Sequence, residues 1–224
     1  MSRTLLKNLW QVGGDGLTAS GDAAIYLIRY DEQAALIDAG CGGAHMRLVA
    51  NIDRCLPKGT RLSHLLLTHC HFDHTGGAEA VRQTYGCQIV AHARDAAFLE
   101  SGDSEVTAAS WYGARLEPFA IDIKLSQQET SLAIGSGIIS ALYWPGHSPG
   151  SLVYHTTMDD KLVLFGQDVH GPIHPGLLSD AALYQKSLKR ILELNADLLL
   201  EGHLGIVEGK EAVRRFIRSY IESW

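Results

Sequence analysis

Residues 65–77 read LLLTHCHFDHTGG: an apolar run, then three histidines and an aspartate within six residues, then a glycine pair. Such crowding rarely arises from packing, because burying several imidazoles without polar partners costs free energy. On an extended segment His69 and His71 point to the same side, and the chain must then turn so that Asp73 and His74 face a neighbouring position. The stretch therefore predicts a metal site at the end of a strand.

The residues around these four candidates fit the same interpretation. Gly76 and Gly77 permit the turn and a close approach of the following helix. Cys70 alternates out of phase with its two neighbouring histidines, so we expect a packed thiol rather than a metal ligand.

Three later segments repeat the pattern of an apolar strand that ends in His or Asp beside Gly or Pro. Residues 141–151 read ALYWPGHSPGS, residues 162–171 read LVLFGQDVHG, and residues 198–205 read LLLEGHLG. Each segment alone is weak evidence, since such residues are more often structural. Together with the first stretch they add three candidate ligands, which are His147, Asp168 and His203.

Composition limits the remaining possibilities. The chain has 224 residues, with 46% hydrophobic and 20% charged residues, which predicts one globular domain over 1–224. The net charge is −6 without a basic cluster, which excludes nucleic acid as a partner. No apolar run reaches the roughly 18 residues of a membrane span, and no signal peptide is evident. The four cysteines form no CxxC pair, so we expect free thiols in a cytoplasmic protein.

Alternating strand and helix patterns predict an α/β or α+β layered fold. Residues 179–194 have leucines at helical spacing, and Ser179 is the predicted N-cap of this helix. Residues 101–118 are the least regular segment, and we interpret them as a loop or insertion that covers a site. The predicted strands span 23–30, 34–38, 62–69, 87–92, 137–144, 151–155 and 161–168, and the predicted helices span 44–55, 76–85, 93–100, 179–194 and 209–222.

The remaining histidines have weaker claims. His64 and His155 lie inside predicted strands and are interpreted as ordinary imidazoles. His170 and His174 follow Asp168 closely and could line a substrate pocket, although their roles stay open. His45 and His92 begin predicted helices, and we assign them no chemistry.

The motif H-x-H-x-D-H, with its preceding Thr and following Gly-Gly, resembles the metallo-β-lactamase superfamily. The segments WPGHSPGS, FGQD and LEGHLG are most similar to the glyoxalase II-like branch. The resemblance covers nearly the whole chain and implies a four-layer αββα sandwich with its site at one edge. It implies one metal ion held by His69, His71 and His147. The second would be held by Asp73, His74 and His203, with Asp168 as the bridge.

Some features depart from relatives. Gln167 stands where many members have Gly directly before the bridging Asp, and we expect only a local change. We expect no C-terminal helical domain of the kind that binds glutathione in glyoxalase II. True β-lactamases fit poorly, because one di-zinc group has Cys at the position of Asp168 and another lacks the bridging carboxylate.

The resulting hypothesis is a hydrolase with two divalent metal ions, zinc first and iron or manganese as alternatives. A metal-bridging hydroxide would attack a carbonyl of a small-molecule substrate, and Asp73 would act as catalytic proton shuttle. A thioester is favoured over a lactam because a thiolate leaves with little protonation. Esters and lactones remain open.

Other functions compete with this hypothesis. One is a mononuclear Fe(II) persulfide dioxygenase that uses His69, His147 and Asp168. A β-lactamase and a non-catalytic metal-binding protein are the weaker alternatives. The sequence does not predict the oligomeric state.

Overall fold

The structure, a computed structural model, describes residues 2–223. In this range thirteen strands are β1 Arg3–Leu6, β2 Leu9–Gly13, β3 Ile25–Tyr30, β4 Gln33–Ile37, β5 Arg61–Leu66, β6 Gln88–His92, β7 Ile123–Leu125, β8 Glu129–Ile134, β9 Gly137–Tyr143, β10 Leu152–Met158, β11 Lys161–Gln167, β12 Leu198–Glu201 and β13 Ile206–Glu208. The α-helices are α1 His45–Cys55, α2 Phe72–Thr75, α3 Ala78–Tyr85, α4 Ala93–Ser101, α5 Ala181–Glu193 and α6 Lys210–Glu222. Short 3-10 helices span Ala109–Tyr112 and Pro175–Leu177.

The strands form two sheets. The first contains seven strands in the order β1-β2-β3-β4-β5-β6-β7, and the second contains six in the order β13-β12-β11-β10-β9-β8. Strands β4 to β7 run parallel, as do β11 and β12, while the other neighbours are antiparallel. Parallel strands need covered faces, and their residues read as continuous apolar runs such as AALI in β4.

Three apolar clusters separate four layers. Residues of β3 and β4 that face one way pack against α1, α3 and α4, with Leu27, Ile52 and Val81 in that cluster. The opposite faces of both sheets meet in a second cluster. The outer face of the second sheet packs against α5 and α6, where Leu188 and Ile217 are buried. The predicted αββα sandwich is therefore confirmed.

Most sequence predictions for individual elements agree with the structure. Each predicted strand overlaps an observed one, but β1, β2, β7, β8 and β13 were not predicted. The predicted helix at 76–85 is α3, which begins at Ala78, and the short helix α2 directly before it was not predicted. The predicted Ser179 N-cap is wrong: Asp180 caps α5, because its carboxylate accepts a hydrogen bond from the backbone N–H of Leu183 at 2.9 Å.

The glycine pair has the predicted function of allowing close approach. A Cβ at Gly76 would lie 2.6 Å from the carbonyl oxygen of Cys41, and one at Gly77 would lie 2.4 Å from that of Ala39. Both glycines have ordinary negative φ angles, so contact rather than backbone conformation excludes larger residues here. The start of α3 can thus pack directly on the loop after β4.

Several strands deliver their carboxyl ends to one edge of the sandwich. Strands β4, β5, β9, β11 and β12 end there, and loops follow each of them. Side chains at such ends are held by the sheets, while the loops leave room for a ligand. Among residues 2–223, no helix combines the length and the apolar character that crossing a membrane would require.

Candidate metal centre

The structure brings the seven candidate ligands together at this edge, in two groups. His69, His71, His147 and Asp168 offer ligand atoms that all lie within 4.8 Å of one another. The second group has the same limit on its distances and consists of Asp73, His74 and His203. The division into groups is the one that the sequence resemblance implied.

Asp168 lies between the two groups. Its Oδ2 is 3.4 Å from Nε2 of His147 and 3.9 Å from Nε2 of His69. Its Oδ1 is 3.2 Å from Nε2 of His74, which belongs to the other group. One carboxylate therefore faces both groups, which is the geometry of a bridging ligand.

The donor set fits a pair of divalent cations. Nε2 of His71, Nε2 of His74 and Oδ1 of Asp168 are buried and have no hydrogen-bond partner within residues 2–223. Leaving buried polar atoms unpaired costs free energy unless a ligand satisfies them. Imidazole nitrogen and carboxylate oxygen are the donors that zinc and similar ions prefer. Nε2 of His69 and Nε2 of His147 approach to 3.2 Å, which suits two ligands that share one ion.

Hydrogen bonds on Nδ1 orient several imidazoles so that Nε2 faces the centre. Nδ1 of His147 donates to the carbonyl of Pro172 at 2.9 Å. Nδ1 of His74 donates to Asp38 at 2.7 Å. Because the Thr68 hydroxyl donates to Asp38, it accepts from Nδ1 of His69 at 3.0 Å. Such outer contacts fix the tautomer and raise the basicity of metal-bound histidines.

The first group is arranged for neutral histidines. Burial lowers the pKa of His69 well below its ordinary value, and nearby imidazoles lower it further. Burial and the neighbouring His147 lower the pKa of His71 to about 3. Both side chains are therefore deprotonated at neutral pH, as metal ligation requires.

The second group holds positive charge instead. Burial lowers the pKa of His203, but hydrogen bonds with Asp168 and Asp73 outweigh this effect and raise it to about 10. Burial also opposes the charged form of His74, but the charge of Asp168 and other carboxylates raises its pKa well above the ordinary value. The carboxylates thus stabilise a cation at this position, and protons take that place when no metal is bound.

Asp38 was not among the predicted site residues. Its carboxylate accepts from the backbone N–H of Thr68 at 2.8 Å, from the Thr68 hydroxyl at 2.7 Å and from His74. It has φ of +62°, directly after β4. A buried Asp in the run ALIDAG was the available signal, since buried carboxylates are rare without partners.

Asp95 is a second residue that sequence reasoning missed. It lies in the first turn of α4, and its carboxylate accepts hydrogen bonds from the backbone N–H of Cys70 at 2.9 Å, from Ser148 at 2.6 Å and from Gly150 at 2.5 Å. It therefore ties the loop of His69 to the loop of His147. The sequence offers no local sign of this, because the partners are distant along the chain.

Glu201 supports the last ligand loop. It is fully buried, and its carboxylate accepts from the backbone N–H groups of His203 and Leu204 at 2.7 and 2.8 Å. It also accepts from Nδ1 of His170 at 2.6 Å. The charge at the end of the apolar strand LLLE was the signal that could have identified it.

A glycine and a thiol near the ligands also have defined functions. Gly146 has φ of +130°, and a Cβ there would lie 2.2 Å from the backbone N of Tyr184, so only glycine can precede His147. Cys70 is fully buried in the first apolar cluster, which confirms the predicted packed thiol. Gln167 is buried, and its backbone has a left-handed conformation with φ of +46° directly before Asp168.

A cavity of about 190 Å³ opens onto the two ligand groups. The irregular segment 101–118 covers it as predicted, because Trp111 and Tyr112 form part of its wall. His170 also lines the cavity, as proposed from the sequence. His174 is not among the lining residues; its ring makes an edge contact with Trp111 at 5.2 Å.

An αββα sandwich with two groups of His and Asp ligands at the edge where its strands end defines a class of metal-dependent hydrolases. The family model described as "Metallo-beta-lactamase superfamily" matches residues 20–203, which include all seven candidate ligands. The chain belongs to the metallo-beta-lactamase superfamily.

Curated relatives carry hydrolase names. A probable metallo-hydrolase of Methanocaldococcus jannaschii is 32% identical over 173 residues, which are 75% of this chain and 81% of the relative. An acyl-coenzyme A thioesterase of Gallus gallus is 27% identical over 90% of this chain and 79% of the relative. A hydroxyacylglutathione hydrolase of Anaeromyxobacter dehalogenans is 32% identical, over 59% of this chain and 41% of the relative.

Solved structures show the same fold. A metallo-beta-lactamase mutant from Cronobacter sakazakii superposes with a TM-score of 0.80 at 17% identity, covering 99% of this chain and 94% of the other. A subclass B3 metallo-beta-lactamase of Bradyrhizobium japonicum gives 0.79 at 23% identity, covering 99% and 91%. At these identities the likeness establishes the architecture alone.

Proposed function

We propose that this protein is a dinuclear metal-dependent hydrolase that acts on a thioester or a related ester or lactone. The observation that carries the proposal is the position of Asp168 between two complete ligand groups that open onto one cavity. Two bound divalent ions would supply Lewis acidity that lowers the pKa of a water molecule and polarises a substrate carbonyl. Zinc is the first candidate, with iron or manganese as alternatives.

Asp73 is the proposed catalytic residue of the chain itself. Its Oδ2 lies 3.1 Å from Nε2 of His203, and the carboxylate lines the cavity. Burial raises the pKa of Asp73, but the charge of His74 and the hydrogen bond with His203 outweigh it and keep the carboxylate ionised. It can therefore act as a metal ligand and also hold a proton on its way to the leaving group.

Tyr112 lies with Asp73 in the wall of the cavity. Burial and the adjacent carboxylate of Asp73 raise the pKa of the Tyr112 hydroxyl, so it stays protonated beside Asp73. No other acidic or basic side chain outside the ligand groups reaches the cavity within residues 2–223, except His170. Because a thiolate needs little protonation to depart, this sparse set of proton donors favours thioesters.

The comparisons support this proposal at a coarser level. Relatives named as thioesterase and as hydroxyacylglutathione hydrolase act on thioesters by name, and their identities are modest. A dioxygenase with a single iron would need only the group around His147, whereas the group of Asp73, His74 and His203 is equally well assembled. The four cysteines are free thiols, which suits the proposed cytoplasmic location.

Metal analysis combined with a substrate panel tests the proposal. We expect about two zinc or similar ions per chain, and hydrolysis of N-acetylcysteamine thioesters faster than that of homoserine lactones, nitrocefin or paraoxon. The D73A variant should bind metal less well and lose most turnover, whereas H155Q, a half-buried strand histidine outside the site, should retain both. One iron per chain with oxygen uptake on a persulfide would replace the hydrolase proposal, and full turnover of D73A would refute the role of Asp73.

A further inference from the structure

A second cavity, of about 480 Å³, adjoins the first beside the metal centre. His203 and Tyr112 line both cavities. A substrate whose carbonyl lies at His203 and Asp73 would therefore extend one group into each cavity. The two walls differ in chemistry, and this difference specifies which group enters which side.

The smaller cavity has an apolar wall away from the ligands. Trp111, Pro172 and Leu177 form this wall, together with Ala108. Leu177 is buried, whereas Trp111 is 54% exposed at the rim. Such a surface accepts a compact apolar acyl group, because burying apolar area there is favourable.

The larger cavity is polar and acidic. Its wall includes Gln11, Asp15, Ser20 and Asp22. Asp22 is buried and accepts hydrogen bonds from the backbone N–H groups of Ala19 and Cys41. Asp15 is exposed, lines this cavity and forms no ion pair within residues 2–223.

No Lys or Arg offsets these carboxylates, and the one basic side chain in this wall within residues 2–223 is His203, a candidate metal ligand. Within residues 2–223, neither cavity has a Lys or Arg in its wall. The guanidinium of Arg47 donates to the backbone carbonyl of Thr18 at 2.8 Å, and Arg47 does not line this cavity. Away from the candidate metal centre, an anionic leaving group would approach Asp15 and Asp22 without a Lys or Arg to offset them, which disfavours binding.

We propose that the natural thioester or ester carries a neutral or cationic leaving group, held in the cavity of Asp15 and Asp22, and a compact apolar acyl group beside Trp111. This inference rests on the proposed hydrolase function. In the reaction, water oxygen bonds to the acyl carbon and the carbon–sulfur bond breaks. The products are a carboxylate, a thiol and one proton. Thioesters of coenzyme A and glutathione, whose thiol parts are anionic, should then bind poorly at this site despite the names of its relatives.

Three butyryl thioesters of similar size test the charge preference directly. They carry thiocholine, N-acetylcysteamine or 3-mercaptopropionate, which are cationic, neutral and anionic close to the sulfur. We expect kcat/KM for the cationic ester to exceed that for the anionic ester by about fivefold or more at low ionic strength, and the difference to shrink with added salt. Equal rates or a preference for the anionic ester would overturn the proposal.

A variant at Asp15 tests whether the preference for cationic thioesters arises from the larger cavity. D15N should bring the ratio of cationic to anionic kcat/KM close to one, whereas D31N, an exposed aspartate in the turn after β3, should leave it unchanged. An unchanged ratio in D15N would contradict the proposal. Calorimetric binding of the unreactive S-butyl thioethers of thiocholine and 3-mercaptopropionate to the metal-loaded protein gives the same ranking without turnover. If none of the three thioesters is hydrolysed, the hydrolase function fails, while the binding ranking still decides the charge preference.

Discussion

Asp38 shows how one side chain outside the ligand groups can control both of them. It accepts from His74 directly and from His69 through Thr68, so it contacts one ligand of each group within two hydrogen bonds. Asp38 is only 2% exposed and does not line the cavity that opens onto the candidate ligands. Asp38 would therefore act on a bound metal ion through the orientation and basicity of two imidazoles.

The D38N substitution should weaken metal binding while keeping the fold. An asparagine amide offers one acceptor and a donor that faces Thr68 or His74, so one imidazole loses its fixed orientation. We expect a loss of about 10- to 100-fold in metal affinity or activity, measured by zinc retention during competition with a chelator. D53N, an exposed change in α1, is the control, and wild-type metal affinity in D38N would contradict this function of Asp38.

At the scale of elements, α4 does more than cover the first sheet. Its first turn presents Asp95 to the loop after β5 and to the loop after β9, which belong to different sheets. The carboxylate is buried, and burial raises its pKa although the hydrogen bonds act in the opposite direction. One helix terminus thereby fixes the distance between the loops of His69 and His147.

The D95N substitution should lower both stability and activity. Three donors converge on this carboxylate, and the amide group of Asn would set one donor against another. We expect a loss of about 1–3 kcal/mol in the free energy of unfolding, measured by denaturant titration of the metal-free protein. D160N, at an exposed turn between β10 and β11, should cost far less. An unchanged stability in D95N would show that the three hydrogen bonds are replaceable.

On the scale of the whole molecule, eight histidines form two sets, one with lowered and one with raised pKa values. Burial is the main cause for the lowered set, and carboxylates overcome burial in the raised set. The lowered set is His64, His69, His71, His92 and His155. The raised set is His74, His170 and His203. Each set affects stability in a different pH range.

The metal-free protein should be most stable near pH 6.5. In the folded state His71 and His92 have pKa values of about 3 and 4, so they stay neutral just below pH 6.5. The same side chains bind protons in the unfolded chain, so the free energy of unfolding falls on acidification. Above it the folded state keeps a proton on His203 up to about pH 10, so this stabilisation is lost as pH rises. Thermal unfolding from pH 4 to 10 measures both limbs.

Metal loading supplies the control for this pH profile. Bound ions replace the protons of His74 and His203, so the loss of stability above pH 6.5 should disappear in the metal-loaded protein. A metal-free protein whose stability keeps rising from pH 6.5 to 9 would contradict the protonation assigned to the second group.

The sequence by itself predicted the layers and the set of candidate ligands. Apolar runs with strand or helix periodicity reflect local burial, so β3 to β6 and β9 to β11 could be predicted without a structure. The candidate ligands are recognisable for a related reason, because each segment that carries them follows an apolar strand and contains Gly or Pro. Strands such as β8, with alternating exposure in ETSLAI, lack that continuous apolar signal.

Only the tertiary structure decided which distant residues meet. The joining of two loops by Asp95, the support of His203 by Glu201 and the sharing of Tyr112 by two cavities all depend on contacts between segments far apart in the chain. The charge of a cavity wall is likewise a sum over several loops. Local sequence patterns encode burial and turns, but hydrogen bonds and electrostatic fields depend on distances in space, and folding alone sets those distances.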